Sequence, residues 1–388
     1  MKIKFPHLVE QWRITETLIR AFKSHRLPHA FLFLGQDGVG KEAAALDLAR
    51  VILCSKANAE SGAIDFELPC EQCPDCVQSA NLKHPNLKIL FPLPKPKAGK
   101  EDEETINYTA AQEKAFEELL AAKAKEYYTP LHLWGGQEIL LEHIRSLRHE
   151  FSLTSFNSRW RVVIISQADR LRLEAANAFL KLLEEPPPSV VFLLTSSRES
   201  RVLPTIFSRC QILRFHPIPA DRLKEQLQRR LSISSEPALI SSRLANGSWW
   251  SARQWAEENA VAEMEKAVVL MRLLVSGEPG VLEVEIDKLS AASSSDQLTK
   301  LLTLLSSWLR EVQRYDADPS HYADLAQYPS MKKFAAYCSG AHYDTAIAAV
   351  EEARLDLERN VLPALVLHRL FDNLQTILFN QGTSVLFR

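Results

Sequence analysis

The chain has 388 residues, 46% of them apolar, with 46 lysines and arginines against 48 acidic residues and a net charge of -2. That length exceeds what one core usually organises and implies two or three domains. The near-neutral balance excludes the global basic field of a stand-alone nucleic-acid binder. The opening Met1-Lys2-Ile3-Lys4-Phe5-Pro6 lacks a signal-peptide core, and no apolar run reaches membrane-spanning length. A soluble, cytoplasmic protein without a membrane partner is therefore expected, its six cysteines acting as ligands or buried thiols.

Residues 8 to 26 are predicted to form a helix, with Leu8, Trp12, Leu18, Ile19 and Phe22 at roughly helical spacing, stopped by Leu27-Pro28-His29. From His29 to Glu42 run an apolar strand, a glycine-rich turn ending in lysine, and the start of an alanine-rich helix. Gly35, Gly38 and Gly40 let successive N–H groups point at an anion, and Lys41 adds an ammonium at the positive end of the helix. This is a phosphate-binding loop that matches G-x-x-x-x-G-K-[ST] except at its last position. There Glu42 replaces the hydroxyl that would ligate magnesium beside the phosphates. A carboxylate facing a polyanion weakens Mg-nucleotide binding and leaves ATP or ADP binding in doubt.

The helix continues to Cys54, and Cys70-Glu71-Gln72-Cys73-Pro74-Asp75-Cys76 follows as a C-x2-C-x2-C run. Four thiols, Cys54, Cys70, Cys73 and Cys76, can close a tetrahedral structural zinc site. The alternatives are an iron–sulfur cluster and solvent-facing thiols, which would be prone to oxidation. Residues 92 to 108 are polar and proline-spaced, an exposed segment within an insertion at 92 to 136. A charged helix from about Ala110 to Tyr127 is expected to present its alternating Glu and Lys to solvent.

A helix around Glu138 to Phe151 precedes Arg161 to Ile165, a near-continuous apolar strand of the kind buried in parallel sheets. A helix from Leu173 to Leu183 ends at Glu184-Glu185-Pro186-Pro187-Pro188, where proline forbids continuation, and the strand Val190 to Leu194 runs into Thr195-Ser196-Ser197. Strands alternating with helices, with the phosphate loop at a strand's carboxyl end, predict an α/β doubly wound parallel sheet to about residue 214. Short helices dominate from Pro217 to about Glu258. Beyond them Leu298, Leu301, Leu302, Leu305, Trp308, Leu309 and Val312 repeat at steps of three and four, and residues 343 to 358 and 361 to 379 continue as bundle helices.

Val202-Leu203-Pro204-Thr205-Ile206-Phe207-Ser208-Arg209-Cys210, preceded by Leu182-Leu183-Glu184-Glu185-Pro186-Pro187, resembles bacterial clamp-loader subunits of the AAA+ class. The resemblance covers nearly the whole chain, with parts in family order: Leu27-Pro28-His29-Ala30, the cysteine knuckle, His84-Pro85-Asn86, the Val162 to Leu171 segment, and Ser208-Arg209-Cys210. It implies an AAA+ P-loop domain over 1–214, a helical lid over 215–258 and an all-α collar over 259–388 that oligomerises with sister subunits.

Within that family, the state of the ATPase parts decides. The second acidic motif reads Ile164-Ile165-Ser166-Gln167, without the magnesium-orienting Asp or the water-activating Glu. Gln167 has the shape of Glu but cannot take a proton. Gly247-Ser248-Trp249-Trp250 lacks the arginine that would sense nucleotide phosphates, although Arg253 lies nearby. Asp169 is expected to cap the following helix. Ser208-Arg209-Cys210 is intact, and the resemblance implies that Arg209 projects into a neighbouring subunit's ATP site. The resemblance thus implies a non-hydrolysing subunit in the replicative polymerase assembly. Its partners would be gamma/tau and delta subunits and, through the complex, a sliding clamp and primer–template DNA. The alternatives are an ATP-hydrolysing subunit of the gamma/tau kind and a zinc-dependent DNA-binding module, whose knuckle here lacks a flanking basic recognition helix.

Overall fold

The computed structural model describes residues 2–24, 26–57, 67–94, 108–133, 136–153, 160–258, 260–276, 279–318, 329–338, 340–359 and 361–379. The chain divides into two compact units, Met1–Gln226 with Gly247–Trp250, and Leu227–Asn246 with Ser251–Arg388.

The strands are β1 (Lys2–Ile3), β2 (Ala30–Leu34), β3 (Glu67–Leu68), β4 (Leu87–Leu90), β5 (Arg161–Ile165), β6 (Val190–Ser196) and β7 (Gln211–Arg214). The helices that frame them are α1 (Trp12–Lys23), α2 (Lys41–Leu53), α3 (Pro74–Ala80), α4 (Ala110–Lys125), α5 (Leu141–Leu153), α6 (Leu173–Glu184) and α7 (Pro204–Phe207). Five strands form one parallel sheet in the order β4-β5-β6-β2-β7, and β1 pairs with β3 separately. Phe31 on β2 aligns with Leu193 on one side and Gln211 on the other.

All five residues of β2 are buried because the sheet is covered on both faces. Leu32, Leu34, Val163, Ile165, Phe192 and Leu194 pack on one face against Ile144 and Leu147 of α5 and Phe179 and Leu183 of α6. Helix α2 packs on β5 and β6 from the other face. The doubly wound parallel sheet expected from the alternation is thus the observed one. β2 lies between and parallel to the two later strands β6 and β7, so the strand order switches beside it, and its carboxyl end is where ligand crevices form in such sheets.

Two local expectations change. The first helix is shorter than residues 8 to 26, and Trp12 stands 64% exposed while Ile14 joins Leu18 on the buried face. Leu8 and Val9 are buried ahead of the helix, pinned by other contacts, so their apolar character reports burial without helicity. Asp169 lies in a short 3-10 turn at Ala168–Arg170 and accepts from Ser196 Oγ at 2.7 Å, whereas Arg172 occupies the cap position of α6.

The remaining helices are α8 (Ala220–Leu231), α9 (Ser235–Leu244), α10 (Trp249–Glu257), α11 (Ala260–Ser276), α12 (Pro279–Ala292), α13 (Ser295–Ala317), α14 (Pro329–Tyr337), α15 (Tyr343–Glu358) and α16 (Pro363–Phe379). The second unit is built on α13, which begins at a capping box formed by Ser294 and Gln297. Its predicted stripe from Leu298 to Val312 is buried throughout and meets Met271, Leu274, Phe371 and Leu374 in one core. Among the described residues no helix is long and apolar enough to cross a membrane.

Candidate functional site: a self-occupied phosphate loop

The turn between β2 and α2 has the backbone of a phosphate loop, with Gly38 at φ 76 and Gly40 at φ 106, conformations that favour glycine. A Cβ on Gly40 would lie 2.7 Å from Leu8 Cδ1 and from the Tyr128 hydroxyl oxygen. That hydroxyl accepts from the Val9 backbone N–H at 3.0 Å. The Trp249 N–H donates to the Gly38 carbonyl at 2.9 Å. Gly247-Ser248-Trp249-Trp250, read as a motif lacking its phosphate sensor, therefore lies against the loop with a tryptophan that is 3% exposed. Arg253 is engaged with Glu257 at 2.8 Å.

Lys41 does not reach outward. Its ammonium donates to the carbonyls of Gly35 at 2.6 Å and Gln36 at 2.7 Å, with Asp37 Oδ1 at 3.4 Å. Burial pushes its pKa down, against the pull of Asp37 and Glu42.

Glu42 is the centre of the site. Its Oε1 accepts from the Ser166 hydroxyl and its Oε2 from the ammonium of Lys123. Lys123 also donates to the Thr129 carbonyl at 2.7 Å. The other charges of α4, Glu113, Lys114, Glu117, Glu118 and Lys125, face water as expected, and Lys123 is the exception at 1% exposed. Helix α4 starts at a Thr109–Gln112 capping box and shows an inward stripe of Phe116, Leu119, Leu120 and Lys123, continued by Tyr127 just past its end. Phe116 stacks on Phe91 with ring centroids 5.7 Å apart. The usable signal was that Lys123 interrupts an apolar stripe, which the regular alternation of Glu and Lys concealed. Burial drives the Lys123 pKa down, with the Glu42 charge opposing. Of the insertion at 92 to 136, residues 95–107 and 134–135 lie outside the described residues.

Gln167, in the left-handed region at φ 58, donates from its side chain to the Leu131 carbonyl at 2.9 Å. The positions of the two ATPase motifs are thus joined to the segment from Lys123 to Leu131.

Arg209 follows α7 at the edge of this unit. Its guanidinium donates to Glu184 Oε1 at 2.8 Å, to the Thr205 carbonyl at 3.1 Å and to the Ser208 hydroxyl at 3.3 Å. The arginine side chain is 36% exposed and Glu184 49%. Sequence reading placed Glu184 at a helix end without seeing it as this partner. Burial pushes the neighbouring Cys210 thiol up to about 12, which marks it as an inert packing residue.

The four cysteines of the knuckle converge, with all sulfurs within 4.8 Å of one another. Cys54 and Cys73 are 4.0 Å apart and Cys70 and Cys76 3.9 Å. A tetrahedron with metal–sulfur bonds of about 2.3 Å has edges of about 3.8 Å, so the thiols fit a four-coordinate ion. Cys54 ends α2, and Cys73 caps α3 by accepting from the Cys76 N–H at 3.3 Å. The contact between Cys54 and Cys76 pulls the Cys54 thiol down and pushes the Cys76 thiol up, as when two neighbouring thiols share one proton. His84 Nδ1 accepts from the Asn86 N–H at 3.0 Å, leaving Nε2 to donate to Asp75 at 3.2 Å. His84-Pro85-Asn86 thus ties the knuckle to the entry of β4.

A family model described as DNA polymerase III, delta subunit, matches residues 10–219, more than half of the chain. The delta' subunit of DNA polymerase III from Bacillus subtilis is 26% identical over 356 residues, covering 90% of this chain and 92% of that protein. The delta' subunit from Pseudomonas aeruginosa is 24% identical over 354 residues, 88% of each chain. A gamma/tau subunit from Mycobacterium tuberculosis is 27% identical over 225 residues, which is 58% of this chain but 31% of that protein. Among solved structures, a gamma-subunit-related protein of DNA polymerase III from Thermotoga maritima covers 93% of this chain and 99% of its own, with a TM-score of 0.41 and 16% identity.

Proposed function

The chain belongs to the DNA polymerase III delta-prime family of clamp-loader subunits, and from that premise we propose that it assists ATP-driven clamp loading without hydrolysing ATP itself. The observation that carries this reading is the bonding of Glu42 to Ser166 and Lys123. A hydrolysing site needs a magnesium ion between loop and second strand and a base for the attacking water. Here the metal side is closed by an ion pair, and the base position holds Gln167, which cannot accept a proton.

Its contribution to chemistry is made in trans. Arg209 sits at the surface, and its planar guanidinium suits the charge that develops on a transferring phosphoryl group. A lid over 215–258 and an oligomerising collar over 259–388 would place that arginine at the ATP site of a neighbouring gamma/tau subunit. Gamma/tau and delta are the direct partners, and the sliding clamp and primed DNA are met through the complex. Cys54, Cys70, Cys73 and Cys76 hold a structural zinc, because four thiolates close the coordination shell and leave no position for a substrate.

The purified chain is expected to show no ATP turnover above background, yet to be required when gamma/tau and delta are reconstituted for clamp loading. Turnover that Lys41→Ala abolishes would contradict this and identify an autonomous ATPase, since contaminating activity would not respond to that substitution.

A further inference from the structure

We infer that the phosphate loop carries a resident cation of its own, the Lys123 ammonium, seated on the donor set that would otherwise hold a magnesium ion. The inference deepens the non-hydrolysing reading and rests on it for the identity of the two motif positions. In a working site the loop offers a hydroxyl directly after its lysine, and the second strand offers a carboxylate. In this chain the two are exchanged. Glu42 brings the carboxylate and Ser166 the hydroxyl, and they are hydrogen-bonded to each other. One carboxylate and one hydroxyl remain, so the place still calls for a positive charge.

Lys123 supplies that charge from the insertion. Its side chain is 1% exposed, and its ammonium bonds to Glu42 Oε2 and to the Thr129 carbonyl. An ammonium out of water persists only against an opposite charge and fixed acceptors. The turn after α4 provides the second acceptor: the Thr129 N–H donates to the Glu126 carbonyl at 2.9 Å, and the Tyr128 N–H to Glu126 Oε1 at 3.2 Å. A divalent ion brought to Glu42 would meet an ammonium already in contact with the same carboxylate, and two cations at that range repel strongly where water is scarce.

The rest of the loop is satisfied in the same way. Lys41 is bound to the carbonyls of Gly35 and Gln36, bonds it would have to give up to reach a phosphate. Gln167 is tied to Leu131 two residues beyond Thr129. One stretch, Lys123 to Leu131, therefore supplies the cation, its acceptor and the partner of the former base position. The loop keeps its shape with no divalent ion and no Mg-nucleotide.

The test uses the full chain and its melting temperature. Magnesium chloride should leave the wild type unmoved relative to sodium chloride of equal ionic strength, and a saturable rise would overturn the inference. Lys123→Met and Glu42→Leu should each lower the melting temperature, and the double variant should lose clearly less than the sum, because each single change strands one buried partner. Additive losses would overturn it. Should Lys123→Met fail to fold, recovery of a folded double variant supports the inference, and failure of both contradicts it. Lys123→Ala should regain stability with methylammonium chloride and not with sodium chloride; equal responses would count against a cation site. Additive losses together with no turnover by the wild type would remove the Lys123 inference and leave the functional reading standing. Turnover abolished by Lys41→Ala would remove the functional reading itself.

Discussion

Two cation–carboxylate pairs in the first unit have opposite fates. Lys123 and Glu42 are 1% and 20% exposed, whereas Arg209 and Glu184 are 36% and 49% exposed. Removing one partner of a buried pair leaves an uncompensated charge and costs about 3–5 kcal/mol. A surface pair contributes about 0–1 kcal/mol. The first pair is therefore a permanent part of the fold. The second can be exchanged for another anion at little expense, and a phosphate would accept from the Arg209 guanidinium as Glu184 Oε1 does, with more charge. Burial thus separates the two roles we propose, a metal position closed by the buried Lys123–Glu42 pair and an Arg209 that the exposed Glu184 leaves releasable toward a neighbour's phosphate.

The largest expected effect lies outside both pairs and calibrates the buried extreme. One zinc per chain should be found by elemental analysis, and Cys73→Ser should lose the metal and destabilise the first unit, because closing a structural site contributes folding free energy. Iron with visible absorption, or protein free of metal when purified without chelator, would contradict the zinc assignment.

Breaking the comparison at its buried end comes next. Lys123→Ala should cost about 3–5 kcal/mol in denaturant unfolding, and a cost no larger than that of an exposed lysine would erase the distinction. At the exposed end, Glu184→Gln should change stability by less than about 1 kcal/mol. It should leave the ATPase of the reconstituted complex intact or raised, because the arginine loses a competitor for phosphate. A collapse of that ATPase would show that Glu184 is needed to aim the side chain.

Much of this was legible in the sequence, for physical reasons that differ by element. Strand Arg161–Ile165 and the part of β6 from Val190 to Leu194 read clearly because a sheet covered on both faces demands unbroken apolar runs, whereas the polar Thr195 and Ser196 that complete β6 did not. The stripe from Leu298 to Val312 read clearly because a bundle helix must bury one face. The cysteines were legible from spacing and meet as expected. Lys123 was not, since charge suggests water unless the partner is known, and Glu42 lies far away in sequence. Glu42 itself was read as a lost magnesium ligand. That it had acquired a cation of its own required the chain to be seen folded. Asp169 was misassigned because a carboxylate ahead of a helix resembles a cap, while the chain turns first and presents it to Ser196.

The central claim is that a subunit with a sealed site of its own completes a site on its neighbour. It is tested most directly by the steady-state ATPase of complexes reconstituted with gamma/tau, delta, clamp and primed DNA, using wild-type chain, Arg209→Ala and Arg209→Lys after confirming that all subunits are present. A trans arginine changes turnover about 10³- to 10⁵-fold at the site it serves, and since a clamp loader has several sites the whole complex should show partial inhibition. Arg209→Ala should fold, keep its metal, assemble and lower the stimulated ATPase. Arg209→Lys should rescue poorly, because it keeps the charge and loses the planar fork. Wild-type turnover and clamp loading with Arg209→Ala would contradict the account and leave Arg209 as an ordinary surface partner of Glu184.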